Sequence, residues 1–133
     1  MNYLLDTHAI IWSIVDTKQL SKRAREIIEN PENALFVSPL SFWEISIKTA
    51  LGKFDFHHID IRHIPNICRE YGFTFLEQSP YDYITNFELP KKENHKDPFD
   101  RMLIHSAIKN ELILLSRDSL FKQYESEGLQ LAW

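Results

Sequence analysis

Short, continuously apolar segments alternate with longer amphipathic segments along this chain, and that alternation constrains its fold more than any other feature. The segments YLL at residues 3–5 and LILL at residues 112–115 have the character of parallel strands that are buried on both faces. Helical periodicity follows such segments, for example at residues 98–109. The pattern predicts an α/β fold, a three-layer α/β/α sandwich with a central, mostly parallel sheet of about five strands.

Five segments are predicted as strands, in the chain order NYLLD, ALFVS, FTFLE, LILLS and LQLAW. The predicted helices are THAIIWSIVD, LSKRAREIIEN, PLSFWEISIKTALG, SPYDYITNFELP, DPFDRMLIHSAIKNE and DSLFKQYESEG. Ser21 is a predicted N-cap, and Gly52 and Gly128 are predicted to end helices. Residues 53–63 are irregular, and Pro65 makes any helix there begin late or bend. The 133 residues are expected to form one domain over residues 1–133.

Net charge does not decide what kind of partner the chain binds. Its formal charge of −4 argues against a nucleic acid. Of the 19 acidic residues, however, five are considered below as a site. Without those five, 14 acidic residues remain against 15 basic ones, so the rest of the chain is almost neutral. The single cysteine, Cys68, fits a reducing cytoplasm, where we expect the protein, and its apolar neighbours predict a core position. No apolar stretch reaches the ~20 residues of a membrane span and no signal peptide is evident, so no membrane partner is expected.

Several acids fall where parallel strands end. Asp6 directly follows the first predicted strand, and Asp118 lies two residues after LILLS. Asp97 and Asp100 begin the helix that leads into that strand, while Glu44 lies inside a helix between bulky apolar residues. Ligands bind beyond the carboxyl ends of the strands in open parallel sheets. The acids can therefore gather at one sheet edge.

Each acid also has a purely structural explanation. Asp6, Asp97 and Asp118 suit helix N-caps, and Asp100 would be an acid in the first turn. Glu44 precedes Lys48 by four residues, the favourable order for a surface ion pair. Capping explains these acids one at a time, but it does not explain why they should gather. Both readings stay open at this point.

Carboxylates that gather would repel one another unless a cation joined them. Oxygen-only ligands suit Mg²⁺ or Mn²⁺, whereas zinc prefers histidine or cysteine. The histidines show no zinc spacing: His57, His58 and His63 are predicted at the surface, and His95 is predicted to be a loop residue that orders the site and is not a ligand. Phosphate-binding, nucleotide-binding and serine-hydrolase glycine motifs are absent. Trp12 and Trp43 are predicted to lie in the core.

Four segments together resemble one known family. YLLDTHAIIW, VSPLSFWEISIK, HKDPFDRMLIHSA and LILLSRDSLF are similar, in this order and over nearly the whole chain, to the PIN-domain family in its VapC-like branch of toxin ribonucleases from bacterial toxin–antitoxin pairs. The resemblance implies an α/β/α sandwich, an acidic pocket for Mg²⁺ or Mn²⁺, and cleavage of RNA. The chain departs from the family where His105 and Ser106 replace small apolar residues of a helix.

The resemblance also assigns roles to residues of this sequence. The catalytic acids it implies are Asp6, Glu44, Asp100 and Asp118. Asp6, Asp100 and Asp118 would hold the metal, with Asp97 as an accessory acid or N-cap, and Glu44 would orient or deprotonate the attacking water. Ser116 matches a small hydroxyl position beside the fourth acid. Candidate phosphate contacts are Lys48, Arg101, Lys91 and Lys92, each of which also suits simple solvent exposure.

The implied partners are an RNA substrate, a cognate antitoxin protein and a second copy of the chain in a homodimer. Operator DNA would be contacted only indirectly, through the antitoxin. Phe42, Trp43 and Phe54 are apolar residues that would help to form an antitoxin groove, although a core position is also expected for Trp43.

Two other functions compete with this one. A phosphoacceptor signalling domain, which is receiver-like, also gathers acids at the edge of a parallel sheet, but here Asp6 stands alone and FTFLE offers only Glu77. A non-catalytic PIN-like binding module would be expected to lack some of the motif acids, and all four are present.

Overall fold

All five predicted strands pair in one sheet. The computed structural model describes residues 1–133. The strands are β1 (Asn2–Leu5), β2 (Ala34–Val37), β3 (Thr74–Phe75), β4 (Ile113–Leu115) and β5 (Gln130–Ala132). Their order across the sheet is β3-β2-β1-β4-β5, and every neighbouring pair is parallel. The predicted α/β sandwich is confirmed, with a sheet that is parallel throughout.

Helices and short 3₁₀ segments connect the strands. The α-helices are α1 (Thr7–Val15), α2 (Lys22–Glu29), α3 (Pro39–Ala50), α4 (Ile64–Glu70), α5 (Pro80–Ile84) and α6 (Pro98–Lys109). The 3₁₀ segments are Thr17–Gln19, Ile61–His63, Thr85–Glu88 and Ser119–Glu127. The last predicted helix is thus a 3₁₀ helix. It ends at Gly128, whose φ of 97° lies in the left-handed region that glycine adopts without a Cβ clash.

Two apolar cores cover the two faces of the sheet. Side chains alternate along β1, so that Tyr3 and Leu5 enter one core and Leu4 enters the other. The first core includes residues of α1, α2 and α4, and the second includes residues of α6 and Ser119–Glu127. Leu4 and Leu5 are completely buried. Burial on both faces explains why this strand is continuously apolar in sequence.

The strand order places a crevice beside β1. From β1 the chain proceeds through β2 to β3 on one side, and β4 and β5 lie on the other side. Such a switch in direction leaves a crevice at the carboxyl ends of the two central strands. The backbone N–H of Asp6 donates to the carbonyl of Leu115 at 3.1 Å, which joins the ends of β1 and β4 there. Residues that directly follow these two strands are therefore brought together.

The burial of two side chains, Trp43 and Cys68, can be compared with the prediction from the sequence. Trp43 is 60% exposed, so its predicted core position is wrong. It lies outside the inward-facing stripe of α3, which contains Ser41, Glu44 and Ile45. Cys68 is fully buried as predicted, and burial raises the pKa of its thiol to about 11.

The two unusual polar residues of α6 have partners. Ser106 is buried, and its hydroxyl accepts a hydrogen bond from the side-chain amide of Gln78 at 2.8 Å. The Nε2 atom of His105 lies 2.9 Å from the hydroxyl of Thr85. Neither side chain therefore has a buried polar atom without a hydrogen-bond partner. Every helix is too short or too polar to span a lipid bilayer.

Candidate active site

Five acids meet in one pocket at the crevice. The pocket has a volume of about 270 Å³, and the acids that line it are Asp6, Glu44, Asp97, Asp100 and Asp118. They come from the end of β1, from α3, from the start of α6 and from the segment after β4. The structure thus brings together all the acids singled out in the sequence. Their roles in catalysis and metal binding stay predictions.

Three of these acids also cap helices. Asp6 accepts a hydrogen bond from the backbone N–H of Ala9 at 2.7 Å, and Asp118 accepts one from that of Leu120 at 2.9 Å. Asp97 accepts from the N–H groups two and three residues further on, at 2.8 and 3.1 Å. Each cap uses one carboxylate oxygen. Capping and membership of the pocket are therefore compatible, because the cap fixes the carboxylate at the pocket wall.

Glu44 is held by two partners deep in the pocket. It is 2% exposed, and its two oxygens accept hydrogen bonds from Thr7 Oγ1 and Lys48 Nζ, each at 2.5 Å. Burial lowers the pKa of Lys48, but the hydrogen bond to Glu44 and its charge outweigh burial, and the net shift is upward. The predicted pair with Lys48 exists, but its placement at the surface was wrong, since Glu44 is buried.

Burial and mutual repulsion perturb two of the carboxyls. The pKa of Asp100 is raised to about 8, first by burial and then by the charges of the other four acids. Burial also raises the pKa of Asp6, against the opposing effects of the Ser116 hydroxyl, the Ala9 N–H and the charge of His8. Perturbed carboxyls of this kind are typical of functional sites. A cation in the pocket would favour the charged form of both carboxyls and so lower both pKa values.

The donor set fits a magnesium or manganese ion that keeps part of its hydration shell. No group of three His, Cys, Asp or Glu side chains is close enough to hold a metal ion directly. Mg²⁺ is commonly bound through one or two carboxylates together with waters and substrate phosphates, so a closed protein cage is not required. Oxygen donors that repel one another without a cation suit such an ion, and the single histidine that lines the pocket, His8, has no cysteine or second histidine beside it for a zinc site.

Of the basic residues predicted to contact phosphate, Lys48 alone lines the pocket. His8, Lys48 and Arg117 line it. Arg117, which the sequence reading missed, packs over the ring of Trp12 with 4.2 Å between the guanidinium carbon and the ring centroid. Its position next to Asp118 was the available signal. Trp12 itself is half-buried at the pocket wall, so its predicted core position is only partly right.

Two predicted phosphate contacts are engaged elsewhere. The guanidinium of Arg101 donates to the carbonyls of Leu89 at 2.7 Å and Pro90 at 3.2 Å. The ammonium of Lys92 pairs with Glu127 at 3.0 Å. Both side chains therefore hold the loop before α6, and neither lines the pocket. Acceptors from other segments, the carbonyls of Leu89 and Pro90 and the carboxylate of Glu127, thus engage these two side chains away from the pocket.

Ser116 lies behind the acids. It is 5% exposed, and its hydroxyl accepts a hydrogen bond from the backbone N–H of Asp118 at 3.1 Å. The same hydroxyl favours the ionised form of Asp6, lowering its pKa against the effect of burial. Ser116 thus links the segments after β1 and β4 at the base of the pocket.

The pocket lies in a part of the chain that matches a known protein family. The model of the PIN domain family matches residues 3–127. The chain belongs to the PIN-domain family. The matched part of this PIN-domain protein contains all five pocket acids and the whole crevice between β1 and β4. No curated protein matches the chain.

Solved structures share the fold of this PIN-domain protein. The VapBC-1 structure from nontypeable Haemophilus influenzae is 22% identical, with a TM-score of 0.68 over 99% of this chain and 97% of that chain. VapBC2 from Rickettsia felis, bound to a DNA fragment from its promoter, is 15% identical, with a TM-score of 0.65 over 99% and 98%. A domain of a functionally unknown Methanocaldococcus jannaschii protein is 15% identical, with a TM-score of 0.57 over 99% and 89%. These identities establish a common fold.

Proposed function

We propose that this PIN-domain protein is a Mg²⁺- or Mn²⁺-dependent endoribonuclease that acts in the cytoplasm as the toxin of a toxin–antitoxin pair. In this proposal residues 1–133 form a single nuclease domain. The observation that carries it is the meeting of five acids from four separate segments in one pocket, at the switch point of a parallel sheet.

In this proposal the acids divide the work. Asp6, Asp100 and Asp118 hold the ion directly or through water, and Asp97 adds charge while it caps α6. A divalent ion held by these residues would supply the positive charge that activates water and neutralises charge on the phosphate. Glu44 orients that water or takes its proton. Its two oxygens already accept hydrogen bonds from Thr7 and Lys48, which fix its direction.

Three basic side chains offer a path for the RNA backbone into an otherwise acidic pocket. His8, Lys48 and Arg117 line its wall. Arg117 and Lys48 each also contact an aromatic ring, of Trp12 and Phe54 respectively. Contacts of this kind hold a cation in place beside the site of chemistry, where it can meet a phosphate. We infer that Arg117 and Lys48 are the main phosphate contacts.

We also propose a cognate antitoxin as the protein partner. The Haemophilus and Rickettsia structures with the same fold are VapBC structures. Trp43 is exposed next to the pocket and packs edge-on against Phe99, with ring centroids 5.5 Å apart, so an apolar antitoxin segment could cover it. Phe42 and Phe54 are half-buried and pack against the core, so they contribute less to such a groove.

A second copy of the chain and operator DNA complete the proposed assembly. Tyr81, Ile84 and Phe87 expose large apolar side chains on one short helical region, which supports a homodimer contact. The net charge of −4 favours a contact with operator DNA that is indirect and runs through the antitoxin.

The competing functions have less support. A phosphoacceptor domain would need an acceptor after a central strand, and Glu77, which follows β3 at the sheet edge, does not line the pocket. A non-catalytic binding module would not need five acids in one pocket, since their mutual repulsion is costly without a cation.

The proposal is tested with purified, inhibitor-free protein and a mixed RNA substrate. Cleavage should stop in a chelator and return with Mg²⁺ or Mn²⁺, and Asp118→Asn should be inactive under all conditions. Asp55→Asn, which changes an exposed acid outside this pocket, is the matched control and should cleave normally. The toxin role has its own readout: expression should slow growth, and co-expression of a small protein encoded beside it should restore growth if that protein is the antitoxin. Cleavage that persists in the chelator contradicts the metal mechanism.

A further inference from the structure

His95 is a buried side chain at the acid pocket, and catalysis as proposed above does not use it. It precedes α6 by three residues, and its side chain is 2% exposed. Its ring packs edge-on against Phe121 and Tyr124, with centroid distances of 5.5 and 5.3 Å. Packing on these rings fixes the imidazole plane. The direction in which its two nitrogens can donate or accept hydrogen bonds is therefore also fixed.

One nitrogen belongs to a buried hydrogen-bond chain. Nδ1 of His95 lies 2.7 Å from the hydroxyl oxygen of Tyr124, a residue with no exposed surface. The guanidinium of Arg101 donates to that same oxygen at 3.1 Å. Because a guanidinium can only donate, the tyrosine oxygen accepts from it and has its own proton left to give. The acceptor in reach of that proton is Nδ1.

The hydrogen bonds among Arg101, Tyr124 and His95 select the tautomer of the imidazole. When Nδ1 accepts the tyrosine proton, the neutral ring must carry its hydrogen on Nε2. The opposite tautomer would leave the buried tyrosine proton without an acceptor, which is unfavourable. Nε2 of His95 is itself a buried atom without a hydrogen-bond partner, and Oδ2 of Asp100 is 3.4 Å away. The N–H therefore has a pocket carboxylate oxygen close by, about half an ångström beyond ordinary hydrogen-bond length and without a formed hydrogen bond.

We propose that Arg101, Tyr124 and His95 form a positioning chain that presents a fixed N–H to Oδ2 of Asp100 and so sets the direction of this carboxylate. A small movement of the Asp100 side chain completes the bond. It leaves Oδ1 for the interior of the pocket, away from His95. Arg101 also holds the carbonyls of Leu89 and Pro90, so the chain ties the loop before α6 to the same carboxylate.

The role resembles that of groups that orient metal ligands from behind. Carboxylates that bind metals are themselves held by hydrogen bonds, and loss of such a bond typically weakens metal binding or activity about 10–100-fold. His95 is thus a positioning residue and does not touch the substrate or the ion. This inference rests on the proposed function in one respect, namely that the free oxygen of Asp100 binds the metal ion. The direction of the N–H is a property of the protein alone.

The first test therefore uses metal-free protein. In ¹⁵N-labelled protein, long-range ¹H–¹⁵N NMR spectra distinguish the protonated from the unprotonated ring nitrogen. We expect Nε2 of His95 to carry the hydrogen, Asp100→Asn to shift its resonance, and Tyr124→Phe to produce a mixture of tautomers. A hydrogen on Nδ1 alone in the wild type, or an unchanged single tautomer in Tyr124→Phe, overturns the positioning chain.

The second test measures Mn²⁺ affinity by calorimetry. His95→Phe keeps a ring without donors and should bind Mn²⁺ about 10–100-fold more weakly than wild type. His95→Gln places an amide nitrogen near the position of Nε2, and it should recover affinity to within about threefold of wild type. Equal affinity of His95→Phe and wild type overturns the inference. If His95→Phe does not fold, Tyr124→Phe decides, with weaker binding expected.

The two tests separate this inference from the proposed function. If wild-type protein bound no Mn²⁺, the proposed function would fail, and the NMR result alone would then decide whether the positioning chain exists.

Discussion

Substitution by asparagine should have different effects at the two aspartates at the start of α6. Asp100 lies among four other acids, and its pKa is raised from 3.8 to about 8. Asp97 caps the helix through two backbone N–H groups. Asp100→Asn therefore removes a carboxyl that the metal-free protein keeps in the pocket only by holding a proton on it. Asp97→Asn retains an oxygen that can cap, and it serves as the matched control in the same pocket.

The size and sign of the Asp100 effect follow from proton linkage. Between about pH 4 and 8 the folded protein holds a proton on Asp100 that the unfolded chain has released, so metal-free stability falls as pH rises through this window. At pH 7 the full linkage would be ~4 kcal/mol, at ~1.4 kcal/mol for each pH unit. Because the pocket is open to water, we expect Asp100→Asn to gain about 1–3 kcal/mol there.

Urea denaturation in a chelator, at several values between pH 5 and pH 8, measures this effect. The wild type should lose stability across that range, Asp100→Asn should lose much less, and Asp97→Asn should stay close to wild type. Asp97→Ala, which removes the cap, should cost about 0.5–2 kcal/mol. Mg²⁺ should raise the melting temperature of wild type and Asp97→Asn, and far less that of Asp100→Asn. If Asp97→Asn loses the metal response and cleavage while Asp100→Asn keeps both, the two roles are assigned backwards.

Three further changes probe other parts of the structure. Thr7→Val removes the hydroxyl that donates to the buried Glu44. It should lower the free energy of unfolding by about 1–3 kcal/mol in urea denaturation and also slow RNA cleavage. Cleavage at the normal rate would show that Glu44 needs no fixed direction. Gly128→Ala places a Cβ at a φ of 97° and should cost about 1 kcal/mol of stability with the cleavage rate unchanged, whereas no loss in urea would mean that the turn relaxes freely. Cys68 should resist a thiol reagent at pH 8 in the folded protein and react fully in denaturant, because burial raises its pKa to about 11; fast labelling of the native protein would contradict its burial.

The main outline of the fold was predictable because it depends on burial alone. The apolar segments around Leu4 and Leu114 have no polar face, and only a parallel sheet covered on both sides buries them completely. Asp6 and Asp118 follow such strands, so their convergence could be inferred from the direction of the strands. The strand order could not be inferred, since it depends on which long-range pairs form.

Side-chain direction was the less predictable part. Trp43 is apolar and lies in a helix, yet the inward stripe of α3 passes through Glu44 and leaves the tryptophan exposed. Arg101 looked like a phosphate contact from its charge, but carbonyls that are distant in sequence capture it. Arg117 was missed because its contact with Trp12 joins residues more than 100 positions apart. Such contacts depend on tertiary packing, and local sequence patterns do not report it.

The central claim is that the five-acid pocket needs a divalent ion to cleave RNA. The measurement that tests it most directly is the cleavage rate of chelator-treated protein as a function of free Mn²⁺, compared with the rise in melting temperature over the same titration. We predict no cleavage without the ion, and a rate that saturates at the same concentration as the thermal shift. A full cleavage rate without added ion, or a thermal shift that saturates while the RNA stays intact, would contradict the account.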